Sequence, residues 1–120
     1  MTAQRRAIAA LGVGALIASC IASVPSTRTQ RATSHRVTIA GFRYLPDTLR
    51  VTPGDTVVFR NSDQFGHTAS SRTAGVLETS PIAGGDSARW IATTEGTVDY
   101  ICAFHPSMRG VIEVGEWDEW

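Results

Sequence analysis

The chain has no lysine. All eleven of its basic residues are arginine, eleven acidic residues match them, and the formal net charge is zero. That balance leaves no basic surplus for a nucleic acid or an anionic membrane surface to attract. Cysteine is equally scarce: Cys20 and Cys102 are the only two. They lie in segments of different character, so no structural disulfide is expected between them, even in an exported protein where one could form. The histidines are His35, His67 and His105, and the methionines are Met1 and Met108. Chemistry that needs a large histidine cluster is thereby excluded. Beyond residue 34 there is no internal repeat, no long apolar run and no convincing helical stripe.

The 120 residues, 42% of them hydrophobic, suffice for one compact domain. Not all of them belong to it. Residues 1–24 read as a signal peptide, with Arg5 and Arg6 in the positive n-region and an apolar run over 7–17. That run is shorter than the roughly 18–20 residues a membrane-spanning helix needs, and it lacks the polar face of an amphipathic helix. Ile17-Ala18-Ser19-Cys20 resembles a bacterial lipobox, in which the cysteine becomes the lipidated first residue. Ordinary cleavage after Ala22 competes with that reading. Residues 21–34, rich in Ser, Thr, Arg and Ala, cannot bury enough apolar surface to fold and read as a tether. A flexible segment of that length reaches about 20 Å root-mean-square. The chain is thus expected to be exported to the periplasm or cell envelope, with Cys20 as its candidate membrane anchor.

From residue 35 to 115 the pattern is all-β: short alternating segments bounded by turn residues, as in a β-sandwich or barrel. Val37 and Ile39 alternate with polar neighbours, Phe42, Tyr44 and Leu45 follow, and Leu49 and Val51 alternate again. Pro53-Gly54-Asp55 makes a turn, because Pro pre-sets its φ and Gly tolerates positive φ. A strand over 56–60 carries Val57 and Phe59 on one face. Residues 61–66 read as loop and His67 starts an extended segment. In the turn-rich stretch 72–86, Val76, Leu77 and Ile82 are the expected anchors. A strand over 87–92 carries Trp90 as a large core residue. Along 97–102, period-2 alternation sets Val98, Tyr100 and Cys102 on the inward face. The closing strand over 111–114 turns Ile112 and Val114 inward. His35 reads as a solvated strand-edge residue, and residues 116–120 as a frayed acidic terminus or, alternatively, as a tail whose Trp117 and Trp120 cap an exposed patch of the sandwich.

The chemistry is concentrated in Cys102-Ala-Phe-His105-Pro-Ser-Met108. A thiol, an imidazole and a thioether on one short loop, spaced C-x2-H-x2-M, are soft and borderline donors of the kind that suits copper in both oxidation states. Each residue also has a plain reading, since a lone Cys or Met is often core filler. A second imidazole would complete a trigonal His2Cys set with Met as weak axial ligand, and His67 is available for it.

Three pieces then carry a resemblance: L-x-V-x-P-G-D-T-V-x-F-x-N over 49–61, G-H-T over 66–68, and Y-x-C-x-x-H-P-x-M-x-G-x-I-x-V over 100–114. Together they resemble a cupredoxin of the plastocyanin, pseudoazurin and amicyanin group, and the short C-x2-H-x2-M loop is most similar to that of amicyanin. The resemblance implies a Greek-key β-sandwich with one type 1 copper at one end, held by His67, Cys102, His105 and Met108. It implies a monomeric electron carrier, not an enzyme, that docks briefly with a redox donor and acceptor near His105; the neighbouring Phe104 and Pro106 read either as an apolar collar for that contact or as ordinary loop packing. One departure stands out. Thr68 occupies a place where these families often have Asn, which helps tie the two ligand segments together. The other reading is a copper-buffering protein of the cell envelope. Such sites are usually open and Met- or His-rich, whereas Met108 is the only methionine here besides the initiator.

Overall fold

Strands begin where the alternation begins. The computed structural model describes Gly12, Gly14 and residues 31–117; the expected signal peptide apart from those two glycines, Cys20, most of the tether and Trp120 lie outside the described residues. Eight strands follow one another: β1 (Ser34–Ile39), β2 (Tyr44–Leu45), β3 (Thr48–Val51), β4 (Thr56–Asn61), β5 (Ser70–Ser71), β6 (Ser87–Ile91), β7 (Gly96–Ile101) and β8 (Arg109–Val114). No helix occurs among the described residues. The strands form two four-stranded sheets, ordered β2-β1-β4-β6 and β3-β8-β7-β5. Both sheets are mixed: β1 runs parallel to β4 and β3 parallel to β8, while the other pairs are antiparallel.

The core lies between the sheets because each contributes one apolar face. Val37, Ile39, Val57 and Phe59 come from the first sheet, and Val51, Val98, Tyr100, Ile112 and Val114 from the second, all of them buried. Each such side chain contributes about 1.5–3 kcal/mol when taken out of water. Tyr100 sets the tightest local demand. It lies directly across from Gly110 in the β7–β8 ladder, and a Cβ at Gly110 would stand 2.2 Å from the Tyr100 ring. The ring is packed on its other sides by Tyr44 and Phe59, with centroids 4.6 and 5.6 Å away.

At the end where β1 and β4 start, a turn closes on itself. Gly54 has φ 95°, the Asp55 N–H donates to the Thr52 carbonyl at 3.0 Å, and the Thr52 N–H donates back to Asp55 Oδ2 at 2.9 Å. Asp55 also accepts from the Thr33 N–H at 2.8 Å and pairs with His35 Nε2 at 2.9 Å. His35 is therefore not the solvated edge residue its position suggests. A nearly buried carboxylate at the start of the neighbouring parallel strand holds it.

Three further expectations need correction. Leu77 and Ile82 are buried, but Val76 is exposed, with its carbonyl accepting the Trp90 indole N–H at 2.9 Å. That bond holds Trp90 at the rim, half-buried against the core and not within it. Trp117 is not frayed: its indole N–H donates to the Val51 carbonyl at 3.0 Å, and the Arg50 guanidinium sits 4.7 Å from its ring centre.

Candidate metal centre

Cys102 comes directly after β7 and continues its inward face, so it is fully buried, and its thiol is free. The chain then folds back in two tight steps. The His105 N–H donates to the Cys102 carbonyl at 3.2 Å and the Met108 N–H to the His105 carbonyl at 2.9 Å. The Cys102 N–H closes the loop on the Met108 carbonyl at 3.3 Å. Residues three apart are thereby drawn to one side of the loop. Met108 is buried at its far end and His105 is half-buried.

His67 arrives from the other direction. The β5–β7 pairing joins Ser70 to Ile101, which carries the segment before β5 alongside the end of β7. His67 and Ile82 exchange backbone hydrogen bonds at 3.1 and 2.7 Å, and the imidazole is completely buried. Asn61 straps the intervening loop, its amide donating to the Phe65 and Ile82 carbonyls at 2.7 and 2.8 Å.

Nδ1 of His67 lies 3.8 Å from Cys102 Sγ, and Nδ1 of His105 lies 3.7 Å from it. All three donor atoms are within 4.8 Å of one another. Ligands about 2.1 Å (nitrogen) and 2.3 Å (sulfur) from a common centre, spread at 120°, would be about 3.8 Å apart. The spacing thus fits one ion bound trigonally, and the donor set of buried thiol and two imidazoles fits copper. A buried thiol flanked by one buried and one half-buried imidazole has no comparable use in packing alone.

Thr68 does the tying that its residue type left in question. Its N–H points at Cys102 Sγ from 3.4 Å, and its hydroxyl oxygen accepts the Ala103 N–H at 2.8 Å. The same hydroxyl lies 3.0 Å from that of Ser70. The Thr68 side chain is therefore an acceptor towards the Cys102 segment, while its backbone N–H is a donor. The Tyr44 hydroxyl donates to the Thr68 carbonyl, and burial, reinforced by Cys102 and Tyr100, pushes the Tyr44 hydroxyl far above its ordinary pKa.

Phe104 is 55% exposed and Pro106 is exposed beside it, as a collar around His105 requires. Two aromatic residues that the sequence did not point to join them. Phe42, 42% exposed, stands edge-on to His105 with centroids 4.9 Å apart, and Phe65, 61% exposed, lies 5.6 Å from Phe42. Asp63 was missed as well. Its Oδ2 is 2.9 Å from His67 Nε2. An acid four residues before a histidine in a loop is a weak signal, because no period fixes where either side chain points.

The model of copper-binding proteins of the plastocyanin/azurin family matches residues 31–115. Among solved structures, an amicyanin variant in its reduced Cu(I) form at pH 4 is 33% identical, covering 68% of this chain and 82% of its own, with a TM-score of 0.64. A second amicyanin variant in the Cu(I) form is 32% identical, with the same coverage and TM-score. A Cu-containing nitrite reductase from Thermus scotoductus SA-01 is 29% identical over 71% of this chain but only 23% of its own length, with a TM-score of 0.64. Among curated proteins nothing matches.

Proposed function

The chain belongs to the plastocyanin/azurin family of copper-binding proteins, and from that premise we propose that it is a small exported carrier of single electrons. Its copper is held by His67, Cys102, His105 and Met108. The observation that carries this reading is the convergence of three donor atoms at trigonal spacing, two of them on fully buried residues, already in place within a stiff sandwich. Copper supplies the one-electron couple. The chain supplies a geometry that does not adapt to either oxidation state, so little has to move when the charge changes. His67 is shut away from water, and His105 is the ligand nearest the surface.

His105 is also where a partner would dock. Phe42, Phe65 and Phe104 give the surrounding surface an apolar character that favours brief contact and excludes water. Copper buffering in the cell envelope is the alternative role. An open site with exchangeable donors would suit that role, and the burial of His67, Cys102 and Met108 argues for the carrier. Catalysis is not part of the proposal. The remaining histidine, His35, is engaged with Asp55, and the chain spans less than a quarter of the nitrite reductase it is similar to. Export rests on the amino-terminal pattern, and mass spectrometry of the mature protein tests it. A modified amino-terminal Cys20 supports the lipid anchor; an unmodified chain starting after Cys20 refutes it.

The visible spectrum with one equivalent of Cu(II) tests the site. An intense blue band is expected, and Cys102→Ala removes it while the β-sheet circular dichroism stays. A colourless one-to-one complex of the wild type refutes the ligand set. Carrier and buffer separate on electron self-exchange: fast exchange in a mixture of oxidised and reduced protein supports the carrier, and slow exchange supports the buffer.

A further inference from the structure

Asp63 accepts three hydrogen bonds at this end of the sandwich. Its Oδ1 takes the Gly41 N–H at 2.7 Å, and its Oδ2 takes the Phe42 N–H at 2.9 Å and faces His67 Nε2 at 2.9 Å. Both carboxylate oxygens thus face backbone N–H donors, the surroundings that suit an ionised carboxylate. An ionised carboxylate has no proton to give, so the proton between Asp63 and His67 belongs to Nε2. Nδ1, the nitrogen facing Cys102 Sγ, is then left with its lone pair free. One carboxylate thus decides which tautomer His67 adopts.

The same group governs Phe42, the only non-glycine with positive φ among the described residues, at 58°. A bulky residue in that region costs about 1–3 kcal/mol and persists only where its surroundings enforce it. Here the two N–H bonds to Asp63 enforce it. Held in this conformation, the Phe42 ring stands edge-on to both imidazoles, with centroids 5.1 Å from His67 and 4.9 Å from His105. Asp63 is itself fixed. Its N–H donates to Asn61 Oδ1 at 2.9 Å, and its carbonyl lies so close to Gly84 that a Cβ there would be 2.5 Å from it.

We propose that Asp63 is a positioning residue of the redox site: one carboxylate selects the His67 tautomer and, by pinning residues 41–42, sets the Phe42 ring as a wall against both imidazoles. The proposal rests on the copper reading given above. A carboxylate on Nε2–H makes the imidazole a stronger donor, which favours Cu(II) over Cu(I) and lowers the reduction potential. Removing it weakens metal affinity by about 10–100-fold, as for other groups that orient a ligand. If Cu(II) alone bears a tenfold loss, the potential rises by about 59 mV for one electron.

The test uses Phe42→Gly as its background, since glycine accepts the left-handed backbone without help and Asp63 can then be changed without unfolding the turn. In the metal-free protein at pH 8, the ring nitrogens of His67 are read by long-range nitrogen–proton NMR. Wild type and Phe42→Gly are expected to hold the Nε2–H tautomer, and Phe42→Gly/Asp63→Ala to show a mixture. In the copper-loaded protein the double variant is expected to have a higher potential than Phe42→Gly alone. Trp117→Ala, which loosens a different part of the fold, should lower the melting temperature without moving the potential. An unchanged tautomer and an unchanged potential in the double variant overturn the proposal. The tautomer measurement stands whether or not copper binds, so failure of the copper reading would appear separately, as a colourless wild type.

Discussion

Asp55→Ala removes the shared acceptor at the end of the sandwich away from the candidate site. The Thr33 and Thr52 N–H groups lose their partner, and so does His35. Hydrogen bonds to a charged group contribute about 1.5–3 kcal/mol each. Thr33 is exposed and Thr52 half-buried, so water can partly replace Asp55 and the low end of that range applies to both. Together they give about 3 kcal/mol. The His35 pair, with the histidine side chain 23% exposed, adds about 0.5 kcal/mol. Each kcal/mol moves the midpoint of a domain this size by about 4–8 °C, so the variant should melt at least about 14 °C lower.

The pH dependence provides a second check. Burial alone would raise the Asp55 carboxyl, but the Thr33 and Thr52 N–H groups, with His35, hold it below its ordinary value. A carboxyl with a lower pKa folded than unfolded contributes fully above the unfolded value of about 3.9, and that contribution is lost as pH falls through the folded value. The gap in melting temperature between wild type and variant should therefore be widest near neutrality and narrow below about pH 4. Strand β4 spans Thr56–Asn61, about 17 Å at the usual rise per residue, between this turn and the copper end, so the visible spectrum should not change. Circular dichroism melts from pH 3 to 8 provide the measurement. A midpoint within about 3 °C of wild type, or a gap as wide at pH 3 as at pH 7, would refute the reasoning.

Gly110→Ala places a Cβ 2.2 Å from the Tyr100 ring, and Tyr44 and Phe59 block its retreat. A loss of about 1–3 kcal/mol in denaturant unfolding is expected, and an unchanged midpoint would mean that the ring moves freely. Trp117→Ala removes the bond to the Val51 carbonyl and the Arg50 contact, and should cost about 1–2 kcal/mol. An unchanged melting temperature would return Trp117 to the frayed tail. Met108→Leu should keep the blue band and raise the potential, because a weak donor favouring Cu(II) is lost; voltammetry showing a lower potential contradicts Met108 as axial ligand.

The parts of this protein that can be read along the chain are those whose determinants are local. Period-2 alternation placed Val98, Tyr100 and Cys102 on one face, and all three are buried there. The spacing of Cys102, His105 and Met108 exposed the donor loop, because a single loop can present three side chains. His67 had no such local sign, and only the resemblance of its surrounding motif selected it over His35. Val76 was misread because a turn, not a strand, decides which of Val76 and Leu77 faces inward. The residues that went unnoticed, Phe42, Phe65 and Asp63, matter through contacts that span long stretches of sequence: Asp63 holds residues 41 and 42, and Thr68 holds residue 103. The difference follows from the two tasks. Donor atoms need only be near one another, so most of the set fits on seven consecutive residues. Keeping them fixed while charge comes and goes requires anchoring separate segments to each other, and the anchors must be distant in sequence to do so.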